Sequence, residues 1–235
     1  MTPRLALFDL DGTLFLTHDP LSGRALVETL EQSFGAVVDP DAPANVDHRG
    51  LTAKRIARNV LRAAGLADPV IDEGLDRWCP SYAERYLALL AEADTSGWET
   101  RPGAAEGLAR LRDSGIRLAL VTGNPEPIAR ARLERLGLSP FFPPGTGSYG
   151  CEAEDRETLL ALALARAGDW PPEATAEIGD TGEDIATAKA SGITSIAVSS
   201  PRTDPAELSD ADIVVEDMDG IVRALLDPQP PARGL

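Results

Sequence analysis

The first apolar run, Leu5-Ala6-Leu7-Phe8, is short and unbroken, and it stops at Asp9-Leu10-Asp11-Gly12-Thr13. A run of this length ending in a glycine turn predicts a buried strand. The period then changes. Apolar positions recur at helical spacing over roughly Pro20 to Phe34, Thr52 to Ala64 and Asp68 to Ala93, with Gly or Pro between the segments and no strand among them. From Arg101-Pro102-Gly103 onward, helical segments alternate with short apolar strands at Ile116 to Val121, Phe141-Phe142, Ala176 to Ile178, Thr194 to Val198 and Ile213 to Val215. That alternation predicts βαβ units and a parallel sheet covered on both faces. The expected fold class is α/β: a Rossmann-like parallel sheet core built from residues 1–14 and 100–227, with an all-helical domain inserted at 15–99. Residues 228–235, with three prolines and a glycine, have nothing to bury and are expected to be disordered.

Composition narrows the picture. A chain of 235 residues that is 43% hydrophobic can bury a full core, as one domain or as a large domain with a small one. Its 22 basic and 38 acidic side chains leave a net charge of −16, which opposes nonspecific nucleic-acid binding. Phosphate recognition, if present, is local. Cys79 and Cys151 form neither a CxxC motif nor a disulfide framework and are expected as reduced thiols, which fits a reducing cytoplasm. The N-terminus lacks the pattern of a signal peptide and no apolar run is long enough to span a bilayer, so a cytoplasmic protein without membrane contact is expected. Nothing indicates an obligate apolar interface, and a monomer or weak homodimer is the expectation.

The chemistry is expected where strands end, because ligand sites in open α/β sheets lie beyond the carboxyl ends of the strands. Asp9 and Asp11, at i and i+2 after the first strand, can point into one site and suit a hard cation such as Mg²⁺. An Asx-type turn before Gly12 explains the same residues more plainly. The second strand ends in Thr122-Gly123-Asn124, either hydroxyl and amide donors to a phosphoryl oxygen or an ordinary turn. A later strand ends in Gly179-Asp180-Thr181-Gly182-Glu183-Asp184. Asp180 can complete a carboxylate metal site; Asp184 acts through water, holds a neighbouring group, or is simply an acid favoured at a helix N-terminus.

Asp9-Leu10-Asp11-Gly12-Thr13, Val121-Thr122-Gly123-Asn124 and Gly179 to Asp184, in this order and with a helical insertion after the first, resemble the haloacid dehalogenase superfamily, and within it phosphoglycolate-phosphatase-like hydrolases with a helical cap. The resemblance covers about residues 5 to 226. It implies that Asp9 is a nucleophile that forms an aspartyl-phosphate, and that Asp11 protonates the leaving oxygen and later deprotonates water. It further implies Mg²⁺ held by Asp9, the Asp11 backbone carbonyl and Asp180 with Asp184 nearby, and phosphate bound by Thr122, Gly123 and Asn124. The usual lysine between the second and last motifs is absent: the only lysines are Lys54, in the cap, and Lys189, after the last motif. Arg156 is the best substitute, since guanidinium stays charged and binds phosphate in a bidentate manner; otherwise it is a solvated helix residue paired with an acid.

Cap loop 47–52 supplies the candidate substrate contacts Arg49 and His48, which are equally well read as surface loop residues, and Thr52 can cap the next helix. The expected partner is a small phosphorylated metabolite, phosphoglycolate-like or a sugar phosphate. Asp11 argues against the superfamily's dehalogenases and phosphonoacetaldehyde hydrolases, which lack that acid. A phosphosugar mutase of the same superfamily is the alternative enzyme, and a noncatalytic binder of a phosphorylated ligand or partner the alternative class. A relic of that kind has no need to keep Asp9, Asp11 and Asp180 together.

Overall fold

The computed structural model describes residues 4–42, 48–168, 170–201 and 203–227. Asp47 and the tail 228–235 lie outside the described residues. Six strands, β1 (Leu5–Phe8), β2 (Arg117–Thr122), β3 (Ser148–Tyr149), β4 (Thr175–Gly179), β5 (Thr194–Val198) and β6 (Ile213–Val215), form one sheet in the order β3-β2-β1-β4-β5-β6. Every pairing is parallel.

Between β1 and β2 the chain forms α1 (Pro20–Phe34), α2 (Ala53–Ala63) and α3 (Asp68–Glu92); after Thr100 come α4 (Ala104–Asp113), α5 (Glu126–Arg135), α6 (Arg156–Ala167), α7 (Gly182–Ala190) and α8 (Met218–Leu226). The fold is an α/β Rossmann-like core with an inserted all-helical cap.

Strand alternation divides the core into two layers. Ala6 and Phe8 pack with Leu108 and Leu111 of α4 and Ile221 and Leu225 of α8. Leu5 and Leu7 face the other way, onto Leu159, Leu160 and Ala163 of α6 and Ala188 of α7. All four β1 residues are fully buried, each large side chain contributing about 1.5–3 kcal/mol on removal from water. The cap has its own core, with Leu26, Leu30, Leu61, Ile71, Trp78 and Tyr86 at its centre. Thr52 caps α2 as expected, its hydroxyl accepting from Arg55 N at 3.1 Å. The two passages between cap and core run side by side: Leu16 N donates to Glu99 O at 3.0 Å and Arg101 N to Leu14 O at 2.9 Å.

Two expectations are corrected. Phe141 and Phe142 form no strand. Pro140, Pro143 and Pro144 remove the amides a ladder requires, the segment makes a 3₁₀ turn at Ser139–Phe141, and Phe142 packs edge-on against Phe8. The strand beside β2 is instead the two-residue β3, with Val121 opposite Ser148 and Thr122 opposite Tyr149. Cys79 and Cys151 are not free thiols but a disulfide, with Cα atoms 6.0 Å apart across a sequence separation of 72. Folding lays α3 over the loop after β3, a contact that linear spacing does not reveal. The thiol argument for a reducing compartment falls with it. No helix among the described residues is long and apolar enough to cross a membrane.

Candidate active site

Register places the acids. Phe8 of β1 lies opposite Leu120 of β2 and Ile178 of β4, so the residues that follow each emerge at one edge of the sheet. Carboxylate oxygens of Asp9, Asp180 and Asp184, all buried, lie within 4.8 Å of one another. Gly12 has φ +86°, and a Cβ there would collide with the Asp180 carboxylate; the glycine supplies both the left-handed backbone and the room for that acid. Asp184 fulfils two of its expected roles at once. Its Oδ2 accepts from Thr181 N at 3.0 Å and Thr181 Oγ1 at 2.6 Å, closing a capping box on α7, while its Oδ1 pairs with Arg156 Nη2.

Arg156 is not solvated. It is the first residue of α6, after the N-cap Asp155, and is 6% exposed. Besides Asp184, Nη2 bonds Asp9 Oδ1 at 3.1 Å and Val121 O at 3.3 Å and lies 3.9 Å from Glu177 Oε1, while Nη1 donates to Gly50 O at 3.3 Å. Burial opposes its charge, but Asp184, Asp9 and Glu177 outweigh burial and raise its pKa. Lys54 instead bonds Asp76 at 2.6 Å and Lys189 the Asp210 carbonyl at 2.7 Å. Neither lysine takes the position of a phosphate-binding cation.

The acid cluster calls for a cation. Burial, opposed by Arg156 and reinforced by Asp184, Asp180 and Asp11, holds the Asp9 carboxyl well above its ordinary range. Burial and then Asp184 push Asp180 up to about 6. Asp180 Oδ1 is buried without a hydrogen-bond partner, while Oδ2 accepts from Thr203 Oγ1 at 3.2 Å. Three hard oxygen donors, one of them orphaned, fit a divalent cation such as Mg²⁺.

The Asp11 carboxylate is outside this cluster. It accepts from Asn124 Nδ2 at 2.5 Å and from Arg132 Nη1 at 3.0 and 3.1 Å. Asn124 Nδ2 also donates to the fully buried Thr122 Oγ1 at 2.9 Å. Gly123 lies under the cap: its carbonyl accepts from Ala53 N at 2.8 Å, and a Cβ on it would strike the Leu51 carbonyl. One cavity of about 1110 Å³ between cap and core is lined by Asp9, Asp11, Thr122, Gly123, Asn124, Arg156 and Asp180, and also by His48 and Arg49 of the cap. Arg49 leans to the core, pairing with Glu207 at 3.3 Å.

Two site residues escape a reading of the sequence. Arg132, buried on α5, donates through Nε to Tyr86 Oη at 3.1 Å, through Nη1 to Asp11 and to Asn124 Oδ1 at 2.9 Å, and through Nη2 to Asp19 Oδ2 at 2.7 Å and Ser22 Oγ at 2.5 Å. It thus joins the core acid Asp11 to cap residues on α1 and α3. In sequence it is one of several arginines on a charged helix. Glu177, on β4, is buried with neither oxygen hydrogen-bonded, and burial holds its carboxyl well above the ordinary range. Its signal was a lone acid inside an apolar strand.

A buried acid cluster at the carboxyl edge of a parallel sheet, under a helical cap, defines a capped α/β protein with a candidate metal-dependent active site. Residues 3–192 match the haloacid dehalogenase-like hydrolases, and the chain belongs to that family. It is 32% identical over 198 residues to a phosphoglycolate phosphatase of Rhodospirillum rubrum, a match covering 84% of this chain and 80% of that protein. Solved structures share the fold: a hydrolase from Pseudomonas syringae (TM-score 0.65, 21% identity, covering 98% of this chain and 100% of that one) and a β-phosphoglucomutase from Clostridium difficile (TM-score 0.67, 16% identity, covering 92% of each).

Proposed function

We propose that this enzyme is a Mg²⁺-dependent phosphatase of a small phosphate monoester, working through an aspartyl-phosphate. The observation that carries the reading is the position of Asp9: one of its oxygens is held by Arg156, it sits in the cluster with Asp180 and Asp184, and Asp11 is held apart on the other side by Asn124 and Arg132. An Asp9 oxygen attacks phosphorus, the bond to the ester oxygen breaks, and Asp11 gives that oxygen a proton. Asp11 then takes a proton from water, whose oxygen displaces Asp9 from phosphorus and releases inorganic phosphate. Splitting the displacement in two lets one carboxyl serve as acid and then as base. Thr122, Gly123, Asn124 and Arg156 receive the phosphoryl oxygens, and Arg156 Nε, buried with no hydrogen-bond partner, is a donor in reserve. Asp9, Asp180 and Asp184 would hold Mg²⁺, which would supply charge neutralisation for the transferring group.

A mutase would form the same intermediate but return the phosphoryl group to a second hydroxyl. The curated relative named above favours hydrolysis, and the retained acids disfavour a noncatalytic binder. The test is phosphate release from 2-phosphoglycolate, sugar phosphates and nucleoside monophosphates, with Mg²⁺ and with EDTA. Mg²⁺-dependent release that Asp9→Asn abolishes is expected; release that survives Asp9→Asn would sink the covalent mechanism, and no release from any ester would sink the phosphatase reading.

A further inference from the structure

Resting on the phosphatase reading, we infer that the cap selects a leaving group that is uncharged, larger than glycolate and apolar on one face. A leaving group with its own carboxylate needs a cation to receive it, and each guanidinium on the cavity wall among the described residues already holds at least one of this chain's own carboxylates. Arg156 is on Asp9 and Asp184. All the N–H-bearing nitrogens of Arg132 are engaged by Tyr86, Asp11, Asn124, Asp19 and Ser22. Arg24 Nε bonds Glu28 at 2.9 Å, and Arg49 bonds Glu207. His18 and His48 offer imidazole nitrogens rather than permanent cations. Beyond the partners of those arginines, Asp41 adds a carboxylate to the same wall, a like charge that disfavours a further anion within reach.

The rest of the cap wall is apolar. Leu26, Val27, Leu51, Ile56 and Tyr82 line the cavity, whose volume of about 1110 Å³ takes in the acid cluster and leaves room for a body larger than a two-carbon acid. Binding pockets are lined this way when an apolar body is held by a few polar groups. Glycolate would leave that wall wet.

The experiment measures binding to Asp9→Asn protein with Mg²⁺ by titration calorimetry, using 2-phosphoglycolate, 2-hydroxyethyl phosphate and benzyl phosphate. These differ in charge and apolar area, and binding does not depend on leaving-group ability. About tenfold tighter binding is expected at each step from phosphoglycolate to hydroxyethyl to benzyl phosphate. Val27→Lys, at a half-buried wall position, should improve phosphoglycolate binding about tenfold while benzyl phosphate does not gain. Phosphoglycolate binding tightest, no ester binding, or an unchanged ratio in Val27→Lys overturns the inference. Turnover of the same esters by the wild-type enzyme separates the two readings: phosphoglycolate hydrolysed and bound best leaves the phosphatase standing without this selectivity, whereas the expected binding order without turnover removes the phosphatase and keeps the occupant.

Discussion

Arg132 holds two carboxylates, Asp11 of the core and Asp19 of the cap, from a buried position. Removing one partner of a buried charge cluster strands the others, at a cost of about 3–5 kcal/mol. Arg132→Met should therefore lower the unfolding free energy, read from chemical denaturation, by that much. Arg132→Lys should recover part of the stability but not the turnover, because an ammonium cannot reproduce the planar fork that orients Asp11 and Asn124; equal recovery of both would reduce Arg132 to a counter-charge. Asp180 gives a pH signature. Burial and then Asp184 raise its carboxyl to about 6, and a raised carboxyl favours the fold while protonated. That contribution is complete below the ordinary aspartate value near ~4 and is lost as pH rises through about 6. Asp9 and Glu177, raised chiefly by burial, act in the same direction. Metal-free protein should lose thermal stability across this window, and the gain on adding Mg²⁺ should grow across it; a gain independent of pH would detach the cation from these acids. Asp9, Asp11, Thr122 and Asp180 were legible because each follows an apolar run at a strand end. Arg132 was not, since a cation on a helix rich in charge looks like solvated surface until α5 is packed under the cap.

At the level of elements, the sequence pattern is strongest where a segment is long or flanked by punctuation. The bounds of α1 and β1 were read directly, and α2 starts after the capping hydroxyl of Thr52. β3 has two residues, too few for any period to register, and the apolar pair Phe141-Phe142 drew the strand assignment because prolines were outweighed by side-chain type. The disulfide was invisible for another reason: only tertiary packing brings Cys79 of α3 to Cys151 beyond β3. It also has a consequence for motion. Cap and core are joined there, at the bidentate pair of Arg58 with Glu154 (2.6 and 2.6 Å), and at the backbone bond from Ala53 to Gly123. Covalent closure of so long a loop is worth about 2–4 kcal/mol. Reduction, or Cys79→Ser with Cys151→Ser, should cost about that much stability. Amide exchange should quicken in α3 and the loop after β3 while β1 and β4 stay protected. Uniform loss of protection across the sheet would mean that the bond supports the whole fold and not the seam between cap and core.

For the molecule as a whole, a net charge of −16 acts on any phosphate ester before contact. At about 0.01 M ionic strength charges are felt over roughly 30 Å, so the approaching anion meets the field of the entire acidic surface; at about 0.15 M the range shrinks to roughly 8 Å. Once the ester is inside, the groups that matter are Arg156 and the cation at the acid cluster, close enough and buried enough that salt screens them little. Repulsion therefore burdens encounter and not chemistry. Raising KCl from about 0.01 to 0.15 M should increase kcat/KM several-fold and leave kcat unchanged, the reverse of an electrostatically steered enzyme. Stopped-flow or steady-state rates under substrate-limited conditions check the sign, with a neutral osmolyte to control for viscosity. A fall in kcat/KM over the same range would mean that a local positive field at the cavity mouth outweighs the net charge, and the guanidiniums of Arg24 and Arg49 would then be steering groups despite their carboxylate partners.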